Sequence, residues 1–420
     1  VLCERIGDRR AGSGGEQAAA GYLEDQFARL GLQEVHLESF PCTSVLSSQA
    51  EIRVKAGRTV QSLPCRVLAG SPPTPSGRRI SGEIAWIEMP EQAGRMFTRH
   101  LRDKVVVLVG PMPDQAELHR RLVACRPAAV IHADDRLPFE WVKDDGVYPS
   151  WVRRYGMPPT VAAPFRLIWQ LRQRSADRAG VRIQVRQQAT SSQNVVAEIG
   201  GSRPDLPLIL LGAHHDTQCH SVGADDNASG VVALLELARL LAKTRPVRTI
   251  RFVSFGAEEQ LSVGSAWYVT QHRSRLGSIG MVLNLDSVAS VLGHHWLIRS
   301  GPVVFGAWLG KAFSRWGLDT VDRPTPMPFA DHFPFSVYGV PAATLYRPNM
   351  DGGMRWQHHS EHDNLGNVSV TELCRVVHAC CGVVGDLARQ TRWPFGRGLE
   401  PAHRSETLRL ARDLFDLEPR

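Results

Sequence analysis

Eight cysteines in 420 residues form no C-x-x-C pair, and two of them, Cys380 and Cys381, stand side by side in an apolar run. That pattern excludes a disulfide scaffold and a thiolate zinc site, and leaves buried free thiols as the expectation. No apolar run reaches the roughly 18 residues of a membrane-spanning helix. Blocks of like charge are also missing, as are basic stretches interleaved with aromatics. Lys plus Arg exceed Asp plus Glu by only 49 to 42, so nucleic acid is excluded as a partner class. No charged-and-apolar leader is read at the start, which makes cytoplasmic the default location, with secretion the alternative if residues precede Val1. No internal repeat is found. Oligomeric state leaves no trace in the sequence.

What is present suits a large folded enzyme. Hydrophobic residues make up 43% of the chain, enough to bury the core of one large domain or two ordinary ones. After the Gly-rich turn Gly12–Gly15, the residues Ala18, Ala19, Tyr22, Leu23, Phe27 and Leu30 follow the i, i+3, i+4 spacing of an amphipathic helix that Gly31 ends. Residues 44–188 read differently, as short β-like runs (Glu51–Val54, Glu83–Ile87, Val105–Val109, Ala129–Ile131, Val181–Val185) punctuated by Pro and Gly, with helices near 115–124 and 164–174. From about 192 strand-like and helix-like segments alternate. The strands are Val195–Ile199, Leu208–Leu211, Thr249–Phe255, Met281–Leu285 and about 342–346; helices fall at Gly230–Ala242, Val263–His272 and near 303–316 and 369–388. This predicts an α/β domain with a mostly parallel mixed sheet and helices on both faces, made of 1–43 and 189–390, with a β-rich domain of 44–188 inserted. The tail, 391–420, carries a charged helix-like stretch without an assigned role.

Five polar segments sit where strands of that domain should end, the edge at which open α/β sheets bind ligands. Gly212-Ala213-His214-His215-Asp216 follows Leu208–Leu211. In an extended segment His214 and Asp216 share one side, which sets a carboxylate beside an imidazole, as metal-bound histidines require. Asp225-Asp226-Asn227-Ala228-Ser229-Gly230 opens a helix; capping accounts for one acid there, not for two adjacent ones. Glu258-Glu259 closes Thr249–Phe255, and neighbouring carboxylates repel unless a cation or proton holds them. Asn284-Leu285-Asp286 ends another strand, and His358-His359-Ser360-Glu361-His362-Asp363 lies near the end of the domain. Each segment alone has a bland reading as a loop, a cap or a solvated turn. Together they offer imidazole and carboxylate ligands without thiolates, the donor set of a catalytic zinc site, in which Co2+ or Mn2+ could substitute.

These segments resemble the zinc aminopeptidase family that includes aminopeptidase Y, bacterial leucyl aminopeptidases and glutamate carboxypeptidase. Its pattern H-x-D, D-x-A-S-G, E-E, N-x-D and H-[ST]-x-x-D is matched by His214/Asp216, Asp226–Gly230, Glu258/Glu259, Asn284/Asp286 and His359/Asp363. Gly7–Ser13 is similar to the family's opening segment. The resemblance implies two Zn2+ per chain: one held by His214 and Asp286, the other by Glu259 and His359, with Asp226 bridging both. It implies Asp216 as the residue that orients His214, and Glu258 as the general base that takes a proton from the attacking water and delivers it to the leaving amine. The motif frames select Asp226 over Asp225, His214 over His215 and His359 over His358.

The sequence departs from the family at two places. Where some relatives carry a Tyr that stabilises the oxyanion, this chain has His358, which leaves that role open. Asp331 and His332 sit in a segment that usually reads Ser-Asp-His, here with Ala330, and are read as rim or supporting groups. The insert 44–188 occupies the place of the protease-associated domain of many relatives. The expected activity is aminopeptidase action on a peptide substrate. Carboxypeptidase action, glutaminyl cyclisation and a non-catalytic receptor-like protein are the alternatives.

Overall fold

The computed structural model describes all residues except 57–58, 89–93, 114, 144–145, 350–354 and 419–420. The chain divides into two units, one of Val1–Ser44 with Ala189–Arg420 and one of Val45–Gln188.

The first unit is built on a mixed sheet. Its strands are β1 (Arg178–Ile199, of which the C-terminal part belongs here), β2 (Leu208–His214), β3 (Ile250–Phe255), β4 (Ile279–Leu285), β5 (Trp296–Ser300), β6 (Val321–Arg323) and β7 (Ala342–Tyr346). They lie in the order β6-β5-β7-β4-β2-β3-β1. The central pairs β7/β4, β4/β2 and β2/β3 are parallel, as is the edge pair β5/β6, whereas β7/β5 and β3/β1 are antiparallel.

Helices α1 (Gly14–Arg29), α2 (Gly230–Leu241), α4 (Val303–Arg315) and α6 (Val370–Ala388) cover one face; α3 (Val263–Gln271), α5 (His332–Val337) and α7 (Pro401–Phe415) cover the other. The apolar run of β2 shows why. Ile209, Leu211 and Ala213 enter the cluster of α1, α2, α4 and α6, while Leu208 and Leu210 enter that of α3, α5 and α7. A parallel strand covered on both faces has no polar side to alternate with. Residues 391–420 fall in this unit: α7 buries Ala411 and Leu414, and the Phe415 ring stacks 5.3 Å from Phe333.

In the second unit Ile80–Glu88, Val105–Val109, Ala129–Ala133 and Thr160–Ala162 pair in parallel in that order. Helices Ala116–Ala124 and Pro149–Tyr155 fall between successive strands, giving the unit more α/β character than its short β-like runs suggest. Two further strands are longer than the sequence indicates. Glu51–Val54 is the end of Gln33–Ala56, and β2 continues through His214 itself.

Candidate metal centre

The parallel register brings the C-terminal ends of β2, β3 and β4 level: Phe255 pairs with His214, and Asn284 with Gly212. His214 is therefore the last residue of its strand, and the Glu258–Glu259 turn and Asp286 follow theirs by one to four positions. The Asp226 loop opens α2. Its other motif residues tie it down. Asn227 donates to Leu285 O at 2.8 Å and accepts from Gly230 N and Ser287 N at 2.8 and 3.1 Å. A Cβ on Gly230 would stand 2.2 Å from Leu285 O, so only glycine fits there. The Asp226–Asn227 peptide is cis. Asp363 accepts from Asp225 N and Asp226 N at 2.7 and 2.9 Å, which gives the last residue of the H-[ST]-x-x-D segment a structural task.

Asp226 is the hub. Its Oδ1 lies 3.1 Å from His214 Nε2; its Oδ2 lies 3.0 Å from His358 Nε2 and 3.5 Å from His359 Nε2. His359 Nε2 in turn lies 2.8 Å from Glu259 Oε2. Among the described residues two groups have ligand atoms all within 4.8 Å of one another: His214, Asp226 and Glu259, and Asp226, His358 and His359. Asp286 Oδ1 is 3.8 Å from His214 Nε2 and falls outside both groups. Asp216 Oδ1 lies 3.4 Å from His214 Nδ1. Asp216 does something more: its two oxygens accept from Glu258 N and Glu259 N at 2.9 and 3.1 Å, so it shapes the turn that carries both glutamates. Glu258 Oε2 is 4.0 Å from His214 Nε2, and its Oε1 accepts from Ser262 Oγ at 3.0 Å.

Two of the three adjacent pairs separate. His215 turns to Ser254 Oγ at 3.0 Å, and Asp225 accepts from Ala289 N at 3.1 Å, both away from the hub. His358 does not separate from His359; the two rings lie 3.4 Å apart and both reach Asp226. Asp331 and His332 are buried. His332 Nδ1 bonds Thr344 Oγ1 at 2.8 Å, and burial pushes its pKa down to about 3.

Three residues escape the sequence reading. Arg355 is buried, donates to Asp226 Oδ2 at 3.0 Å and lies over the Tyr346 ring. Arg9 is fully buried and donates to the carbonyls of Leu2, Gly7, His215, Val222 and Gly223, bracing the loops after His214 and before Asp226. Glu16 reaches the Glu258 turn. Single arginines and glutamates carry no local pattern that marks such contacts. Only the opening Gly7–Ser13 segment hinted that residues near Arg9 belong with the site.

The electrostatics call for a cation. Burial raises the pKa of Glu258 well above the ordinary carboxylate range, against the pull of His214, and the charges of Asp331, Asp286 and Glu259 add to it. Burial also raises Glu259, with His359 opposing and Asp226 adding. Asp226 alone goes the other way: burial would raise it, but Arg355, His214 and His358 hold it well below its usual value. One buried oxygen of Glu259, Oε1, has no hydrogen-bond partner among the described residues. Crowded carboxylates, imidazoles and a spare buried oxygen fit the hard-to-borderline donor set of two zinc ions.

Residues 194–384 match the sequence model of Peptidase family M28. The matched segment holds His214, Asp226, Glu259, Asp286 and His359. A leupeptin-inactivating enzyme of Streptomyces exfoliatus is 26% identical over 225 residues, covering 49% of this chain and 51% of that protein, so the match spans about half of this curated relative's length. Among solved structures, a zinc aminopeptidase from Bacillus subtilis superposes with a TM-score of 0.74 at 20% identity, covering 93% of this chain and 94% of that one. A peptidase M28 precursor from Shewanella amazonensis gives 0.78 at 20% identity, covering 95% and 93%. These two likenesses establish the fold, an α/β mixed sheet with flanking helices. No helix among the described residues is long and apolar enough to cross a membrane.

The buried acids of the first unit predict how the metal-free chain responds to pH. Burial carries Glu16 to about 8, Asp331 to about 7 and Asp363 to about 8. Their unfolded values lie near 4. From about pH 6.5 to 8 the folded chain therefore still holds protons that the unfolded chain has already lost, and the difference closes as the folded chain sheds them. Stability falls as pH rises, by at most about 1.4 kcal/mol per pH unit for each group. Buried His215, His295 and His332, pushed down to about 4, 4 and 3, are already neutral in the folded chain and oppose the fall only below about pH 6.5, where unfolded histidines still carry a proton. Calorimetry of EDTA-treated protein should show a melting temperature that drops across the window. A flat or rising one would contradict the assignment.

Proposed function

We propose that the chain is a di-zinc metallopeptidase acting as an aminopeptidase. The observation that carries the reading is the hub itself: Asp226 presents one oxygen to His214 and the other to His359, the placement of a carboxylate that bridges two cations. His214 and Asp286 would hold one zinc, Glu259 and His359 the other. When bound, the pair supplies Lewis-acid polarisation of the scissile carbonyl and lowers the pKa of water. Asp216 keeps the His214 ring oriented and holds the Glu258 turn. Glu258, whose pKa burial raises, takes the proton from the attacking water and returns it to the leaving nitrogen. Arg355 keeps Asp226 ionised. His358 stands beside His359 where some relatives carry a Tyr, and its Nε2 is engaged by Asp226 Oδ2. We read residues 44–188 as a protease-associated-like insert on its position in the chain.

The amino-end preference draws on the zinc aminopeptidase from Bacillus subtilis, whose fold this chain shares. The test is metal content followed by assay. About two zinc ions per chain and release of aniline from unblocked amino-acyl anilides are expected. Cleavage of peptides from the carboxyl end alone would overturn the amino-end choice, and a single tightly bound zinc would favour cyclase-like chemistry.

A further inference from the structure

Ser13-Gly14-Gly15-Glu16 opens α1 with the S-x-x-E spacing of a capping box, in which the glutamate ordinarily folds back onto the N-cap amide. Half of that arrangement is present, since Ser13 Oγ accepts from Glu16 N at 3.2 Å. The Glu16 side chain goes elsewhere. Its Oε2 accepts from Gly12 N at 2.5 Å, and its Oε1 accepts from Ser192 Oγ at 2.6 Å and Ala257 N at 3.0 Å.

The Ala257 amide immediately precedes those of Glu258 and Glu259, which the two oxygens of Asp216 accept. Three successive N–H groups therefore each end on a carboxylate oxygen. The backbone explains how they converge. Ala257 is left-handed, at φ 50°, and Glu258–Gln260 forms a helical turn, an arrangement that swings consecutive amides to one side as an anion-binding nest. An alanine in that conformation costs about 1–2 kcal/mol, which an acceptor on its N–H can offset. Room for the acceptor is provided by Gly256, where a Cβ would stand 2.2 Å from Ser192 Oγ and 3.0 Å from Glu16 Oε1. Glu16 is buried, and the contact closes across 241 positions of sequence.

We propose that Glu16 is a positioning residue for the reaction: it fixes the 257–259 backbone, and through it the aim of the Glu258 carboxylate and of Glu259. The role rests on the reading of Glu258 as the base. It gives α1 a task beyond packing, and it divides the bracing of the site between two residues of the opening segment, Arg9 for the loops around His214 and Asp226, Glu16 for the glutamate turn.

Three variants test it. Glu16→Asp keeps the carboxyl group but retracts it by one methylene. Glu16→Gln replaces it with an amide that keeps an oxygen within reach of Ala257 N. Leu23→Ala, in the buried face of the same helix, weakens packing without touching the turn. Glu16→Asp is expected to lower kcat by about 10–100-fold with KM within about twofold, because a displacement of order 1 Å at a catalytic group costs that much. It should also lose hydrogen-exchange protection of the amides at 257–259. Glu16→Gln should stay within about fivefold of wild type, and Leu23→Ala should lower the melting temperature while keeping kcat. The proposal is overturned if Glu16→Asp keeps both kcat and amide protection, if Glu16→Gln loses as much as Glu16→Asp, or if Leu23→Ala loses kcat in step with its stability. Wild-type protein inactive on peptides would sink the peptidase reading, and amide exchange would still decide the role of Glu16 in the turn.

Discussion

Replacing Glu258 by Gln is expected to cut kcat by about 10²–10⁴-fold while both zinc ions stay bound. Glu258 belongs to neither group of converging ligand atoms, and its nearest approach to a ligand nitrogen is 4.0 Å. It is nevertheless buried at the hub and its proton affinity is raised, as a base that must both take and return a proton requires. Gln preserves the volume and can still accept from Ser262 Oγ, so the turn should hold. Zinc content by elemental analysis and turnover on the best anilide separate the two roles. Near-wild-type turnover would show that another group moves the proton. Loss of zinc would make Glu258 a ligand instead.

The second large effect concerns the adjacent aspartates. Asp226→Asn is expected to lose at least one zinc ion and to bring turnover below detection. It should also destabilise the chain by about 3–5 kcal/mol, because Arg355 is buried and, among the described residues, its carboxylate partner at hydrogen-bond distance is Asp226. Asp225→Asn, by contrast, changes a residue whose carboxylate bonds Ala289 N and faces away from the imidazoles. It should keep both metals. Calorimetric unfolding and zinc content of the two variants measure this directly, and a reversed pattern, with zinc lost only from Asp225→Asn, would move the hub by one residue.

Much of the site is legible in the sequence because each polar segment stands where an apolar run stops. The runs Leu208–Leu211 and Met281–Leu285 are continuous because both faces of a parallel strand are covered, and their ends announce themselves as soon as His or Asp appears. The choice of His214 over His215 follows from the motif frame, and in the structure the side chains diverge as alternation at a strand end requires. What the sequence hides is contact at long range. Arg9, Glu16 and Arg355 look like ordinary surface residues in a chain rich in them, yet each is buried against backbone or carboxylate groups that folding brings from far away. Glu16 is hidden twice over, because a local pattern, the capping box, already explains a glutamate at that spacing. His358 shows the opposite failing: the motif frame assigns the second ligand to His359, while geometry brings both rings to Asp226. Gln33–Ala56 runs through Pro41 and a Ser/Thr-rich stretch that break up its apolar pattern, so only its last residues read as strand. The parallel order of the second unit was equally out of reach, since five-residue buried strands carry no sign of their partners.

The central claim is that Asp226 lies between two cations. Anomalous diffraction at the zinc edge from zinc-saturated crystals tests it most directly. The account predicts two peaks about 3.5–4 Å apart on either side of the Asp226 carboxylate, one on the His214 and Asp286 side and one against Glu259 and His359. A single peak, or peaks away from Asp226, would contradict it.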